Sequence, residues 1–129
     1  MHRFTVLAAT AGAALAGILI TTANPAAAAS VPTKVTITVK PAGAKQRTAT
    51  LTCNPTGGTH KSAEAACTVL TAAGGKPGAI VPADVMCTLE YAPVKVKMAG
   101  RYNRKPVAFK RSYSNPCRLQ AEAGALFGI

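Results

Sequence analysis

At 129 residues the chain suffices for one ordinary domain and is too short for two. Fifteen lysines and arginines against four acidic residues give a formal charge of +11, which favours anionic partners and says nothing about fold. With no tryptophan, three tyrosines and three phenylalanines, a stacking platform for single strands is poorly supplied, and no nucleic-acid partner is expected.

The first stretch reads as a secretory signal. Met1-His2-Arg3 is a short positive start, Phe4 to Thr22 is uncharged and apolar or small, and Pro25 to Ala29 supplies the small residues a signal peptidase reads. A membrane anchor is the competing reading, but the run is short and broken by Thr and Gly. Residues 1–29 are therefore expected to be removed, leaving a secreted, extracellular domain over 30–129 with no membrane contact after cleavage.

Val35-Thr36-Ile37-Thr38-Val39 alternates as a strand does, Pro41-Ala42-Gly43 breaks it, and Arg47 to Cys53 alternates again. These two strands predict a hairpin across the turn. Asn54 to His60 is loop. Ser62 suits a helix N-cap, Glu64 suits the helix dipole, and Ala63 to Ala73 carries Ala66, Val69 and Leu70 at helical spacing before Gly74-Gly75 stops it. Pro77 to Pro82 is a connector whose Ile80 and Val81 are expected to cap the core. Val94, Val96 and Met98 alternate with Lys95 and Lys97. Ala99-Gly100 reads as a turn, and Val107, Phe109 and Arg111 alternate in the return strand. Ser114-Asn115-Pro116 stops that strand before Cys117. The sum is a single small α+β domain: about five antiparallel strands, one main helix and room for a second short one.

Cys53, Cys67, Cys87 and Cys117 are an even set in a small exported chain, which predicts two disulfides. No two lie close enough for a structural zinc site, so no metal and no cofactor is expected. Three pairings are open. The least nested one joins Cys53 to Cys67 and Cys87 to Cys117, giving each bridge a local loop to hold.

An enzyme reading finds little support. Past the signal the one histidine is His60, in a glycine-rich loop with Glu64 the nearest acid. A nucleophile–His–acid arrangement needs a histidine held by a carboxylate, and phosphate loops and metal clusters are missing from the sequence. The informative segment is Met86-Cys87-Thr88-Leu89-Glu90-Tyr91-Ala92-Pro93-Val94, an extended stretch tied at Cys87. On residue types alone Leu89 would be a core leucine.

The stretches Leu51-Thr52-Cys53, Gly58-Thr59-His60, Ala66-Cys67, Ala73-Gly74-Gly75, Asp84-Val85-Met86-Cys87, Tyr91-Ala92-Pro93-Val94 and Ser112 to Cys117 together resemble the Streptomyces subtilisin inhibitor-like family. The resemblance covers nearly all of the exported part. It implies a secreted serine protease inhibitor whose reactive bond is Leu89–Glu90, with Leu89 entering a hydrophobic specificity pocket of a subtilisin-like protease. Met86, Cys87, Thr88 and Tyr91 would contact the enzyme, and Asn115 and Pro93 would support the loop. It also implies a homodimer formed by stacking sheet faces. Glu90 after the bond and Ala92 in place of an acidic residue depart from the family pattern.

Lys95, Lys97, Arg101, Arg104, Lys105, Lys110, Arg111 and Arg118 crowd the last hairpin and the start of the tail. They suggest retention on an anionic wall polymer. A cationic polymer-binding protein without inhibition is thus the competing function. A transglutaminase substrate presenting Gln46 or Gln120 is a third.

Overall fold

The computed structural model describes residues 31–129, so the expected signal segment lies outside the described residues. Five strands form one antiparallel sheet in the order β3-β2-β1-β4-β5. They are β1 (Thr33–Pro41), β2 (Arg47–Cys53), β3 (Gly57–Gly58), β4 (Val94–Tyr102) and β5 (Lys105–Tyr113), with helices α1 (Ala63–Ala72) and α2 (Pro116–Ala123). Single 3-10 turns follow each helix, at Pro77–Ala79 and Gly124–Phe127.

The period-two pattern decides which face is inside. Val35, Ile37 and Val39 of β1 are buried, as are Leu51 of β2 and Val94, Val96 and Met98 of β4. Against them pack Ala66 and Leu70 of α1 and the C-terminal Leu126 and Phe127. Phe109 extends this layer by stacking on Phe127, ring centroids 6.0 Å apart. Among the described residues no helix lies on the other sheet face.

α1 ends as its glycines predict. Gly74, at φ +61°, sits just past the last helical turn, and the Gly75 N–H reaches back to the Leu70 carbonyl at 2.9 Å. This is the glycine-terminated closure that a left-handed residue permits. Ser62 holds the N-cap position, but its side chain makes no capping bond.

Several expectations are corrected. Ala99-Gly100 is not a turn: β4 runs on to Tyr102, and the reversal falls at Asn103 and Arg104, both at positive φ. Gly100 is needed for another reason. A Cβ there would overlap the Lys34 carbonyl of β1, and its φ is +151°. Val81 does not cap the core; it is exposed, while Ile80 alone packs against the core. The 54–60 loop contributes a short strand, β3, paired to Leu51 and Thr52. The second short helix for which the sequence left room is α2, which starts at Pro116 and takes in Cys117.

Candidate functional site

Between Ala79 and Val94 the backbone forms no helix or strand. Pro82 and Pro93 lack the N–H that a ladder needs. Every exposed large apolar side chain among the described residues falls here: Val81, Val85, Met86, Leu89 and Tyr91. Met86 and Leu89 are as accessible as in an open chain, at 100% and 101%. Apolar groups concentrated so openly mark an interaction surface.

The segment is held at its ends and at one point beneath its tip. At its entry the Ala83 N–H donates to the Ala121 carbonyl of α2 at 2.7 Å. At its exit the Ala92 N–H donates to the Ser114 carbonyl at 2.9 Å, and the Pro93 carbonyl accepts from the Ala42 N–H at 2.8 Å. Cys87 is bonded to Cys117 at the start of α2, and Cys53 to Cys67, joining β2 to α1. Of the three pairings open to the sequence, this is the least nested.

Asn115 occupies the space under the tip. A cleft of about 430 Å³ is lined by Cys87 to Tyr91 and by Ser114, Asn115 and Arg118, and the Asn115 side chain bridges its two sides. Its Nδ2 donates to the Thr88 carbonyl at 3.0 Å and to the Glu90 carbonyl at 2.9 Å. Its Oδ1 accepts the Arg118 N–H at 2.8 Å, capping α2. Pro116 comes next, in the first helical turn, where its missing N–H costs nothing. The amide orientation is fixed by this set: two carbonyls need the donor end and one N–H needs the acceptor end. Asn115 is itself 3% exposed, so its rotamer is locked by the fold. The two carbonyls it holds belong to the residues on either side of Leu89.

The structure thus brings Met86, Cys87, Thr88, Leu89, Glu90 and Tyr91 onto one protruding loop, with Asn115 and Pro93 at its root. It does not bring the basic hairpin residues onto one surface. Arg111 lies on the inner side of β5, over the Tyr113 ring at 4.9 Å, and pairs with Glu122 at 2.8 Å. Arg118 pairs with the same carboxylate at 3.3 Å. Burial pushes the Tyr113 phenol up, with Arg111 opposing the shift.

His60 carries a role that sequence reasoning missed. It is buried, its Nε2 bonds the Leu126 carbonyl at 3.1 Å, and its Nδ1 accepts the Ser62 N–H at 3.0 Å. The ring clamps the start of α1 to the C-terminal segment. Among the described residues no group of three His, Cys, Asp or Glu could hold a metal, and no helix is long and apolar enough to cross a membrane.

An α+β scaffold with a bridged loop presenting freely exposed apolar residues defines a class: small disulfide-stapled binding domains that offer a peptide segment. A family model described as subtilisin inhibitor-like matches residues 26–115, and the chain belongs to that family. It is 40% identical over 67 residues to subtilisin inhibitor-like protein 3 of Streptomyces coelicolor, covering 51% of this chain and 63% of that protein. It is 35% identical over 69 residues to the subtilisin inhibitor of Streptomyces albogriseolus, covering 53% and 48%. The matched stretches span roughly half the length of these curated relatives. Among solved structures, Streptomyces caespitosus sermetstatin, crystallised in complex with Bacillus licheniformis subtilisin, matches with a TM-score of 0.62 and 28% identity, over 76% of this chain and 99% of that one.

Proposed function

We propose that this protein acts outside the cell as an inhibitor of subtilisin-like serine proteases, with Leu89–Glu90 as the bond offered to the enzyme. The observation that carries this reading is the Asn115 amide, which holds the carbonyls before and after Leu89 while the Leu89 side chain is left entirely free. A core leucine is packed; this one is presented.

The ties around the loop set the mechanism. Leu89 fills a hydrophobic pocket. Met86, Cys87 and Thr88 lie along the enzyme as an added strand, with main-chain hydrogen bonds supplying affinity, and Tyr91 contacts the far side of the bond. The loop is already ordered, so association loses little conformational freedom. When the enzyme's nucleophile attacks the Leu89 carbonyl carbon, the leaving group is the Glu90 amine. The Cys87–Cys117 bridge holds the acyl side and the Asn115–Glu90 bond holds the amine side. Groups tethered this way reach effective molarities of ~10⁵–10⁸ M, so the amine re-forms the peptide before water intervenes. Glu90 places a negative charge immediately after the bond, which disfavours proteases with acidic surfaces there. Export is supported by the signal-like residues 1–29 and by two disulfides, which persist in oxidising surroundings.

The test is titration of subtilisin with the mature protein. The expected result is stoichiometric loss of activity, abolished in Leu89→Gly. Full protease activity at micromolar wild-type protein refutes the reading.

A further inference from the structure

We propose, building on the inhibitor reading above, that Met86 is a modification site: hydrogen peroxide oxidises it selectively to the sulfoxide, and this weakens inhibition. The chain has three methionines. Met1 lies in the expected signal segment. Met98 is sealed in the core at 0% exposure, whereas Met86 is 100% exposed. All four cysteines are bonded in pairs, so among the described residues Met86 is the one open thioether, and no free thiol competes with it for oxidant. Its neighbour Cys87 turns into the body of the protein to meet Cys117. That leaves Met86 directed away from the scaffold, three residues before Leu89. Methionine ordinarily fills gaps in a core; here it stands on the loop offered to the protease.

Oxidation of a thioether by peroxide needs access and no catalytic group. A sulfur lone pair attacks one peroxide oxygen, and the S–O bond forms as the O–O bond breaks. The proton left on the transferred oxygen passes to the departing hydroxide, giving water. Sulfur gives up an electron pair and the peroxide takes it. The product replaces a flexible apolar side chain by a polar, chiral one. In the free protein the new oxygen is met by water, because the Met86 side chain is open throughout. Against the enzyme the balance changes. The thioether gains from leaving water, while the sulfoxide oxygen must give up its hydrogen bonds to water, which raises the inhibition constant ~5- to ~140-fold. The cysteines are already oxidised, so the same peroxide alters the loop and leaves both bridges in place.

The experiment treats the full mature protein with dilute hydrogen peroxide, removes the peroxide, and measures the inhibition constant for subtilisin beside peptide mass spectrometry. One added oxygen atom should appear on Met86 and none on Met98. The melting temperature should stay where it was, and the inhibition constant should rise by the factor above. Reducing the sulfoxide with the two epimer-specific reductases should return the starting constant. Met86→Leu, compared with its own untreated sample, should not respond to peroxide. Met86→Gln, polar and of similar length, should inhibit before treatment as weakly as the oxidised parent. Oxygen entering elsewhere first, an equal loss in treated Met86→Leu, or a loss that persists after reduction overturns the proposal, because other damage then explains the effect. An inhibition constant unchanged at full Met86 oxidation, or a Met86→Gln variant as potent as the untreated parent, overturns the regulation alone. An untreated protein that leaves subtilisin fully active refutes the inhibitor reading itself, and the regulation falls with it.

Discussion

Replacing Asn115 by Asp separates two roles that one side chain performs. The carboxylate keeps an acceptor for the Arg118 N–H, so α2 stays capped, and its charge suits the helix N-terminus. It loses both donors to the loop, and its oxygens face the Thr88 and Glu90 carbonyls. Each lost bond is worth about 0.5–1.5 kcal/mol; for two, inhibition should weaken ~5- to ~140-fold, at 1.4 kcal/mol per tenfold. Asn115→Ala loses the same two bonds and also the cap, adding about 1 kcal/mol of instability. The assay pairs tight-binding titration of subtilisin with a mass-spectrometric time course of cleavage after Leu89. Both variants should be hydrolysed faster than the parent, and only the Ala variant should melt clearly lower. An Asp variant that inhibits like wild type and stays uncleaved refutes the reasoning, because the loop is then held without Asn115.

Leu89→Lys should move inhibition from subtilisin towards proteases with an acidic specificity pocket, read from inhibition constants against one enzyme of each kind; unchanged preference places the contact elsewhere. Replacing Cys87 and Cys117 together by Ser removes the bridge between residues 30 apart in sequence and should lower stability by roughly 3 to 4 kcal/mol, measured by denaturant unfolding, and turn the loop into a substrate. Gly100→Ala should destabilise by more than about 2 kcal/mol, combining backbone strain with the overlap on Lys34. Burial raises the Tyr113 pKa in the folded state. The folded form therefore holds that proton more tightly, and stability should be full below about pH 10 and fall as pH rises beyond it. Tyr113→Phe should flatten that alkaline limb in melts across pH.

Four of the strands are legible because half-buried sheet writes itself as alternation: β2 falls on the predicted Arg47 to Cys53. Other features depend on spatial rather than sequential neighbours. Gly100 carries the signature of a turn, and nothing local reveals that the β1 backbone passes beside it. α2 is hard to read because Leu119, Ala121 and Ala123 are buried at two-residue steps, and Asn-Pro is as much a strand stop as a helix start. His60 sits among glycines, so its burial depends on a carbonyl 66 residues away. The basic residues cluster by nearness in the chain; register instead sends Arg111 inward and recruits Lys34 and Lys40 from β1. Leu89 is the extreme case: residue type favours burial, and only the family resemblance points to exposure.

Val81 to Met86 are all exposed and cannot be fixed by packing against the core. The loop is held by polar and covalent ties, and all of these but the Ala42–Pro93 bond converge on one short region. Ser114, Asn115, Cys117 and Ala121 supply a carbonyl, an amide, a sulfur and a second carbonyl. That region is rigid because β5 ends in buried Tyr113 and α2 buries Leu119 and Ala123. Ala92 illustrates the consequence. The family pattern carries an acidic side chain there, but here the position is held through its N–H to Ser114, which any non-proline residue supplies. A change at Ala92 should therefore alter inhibition less than a change at Asn115, although Ala92 lies closer in sequence to the offered bond.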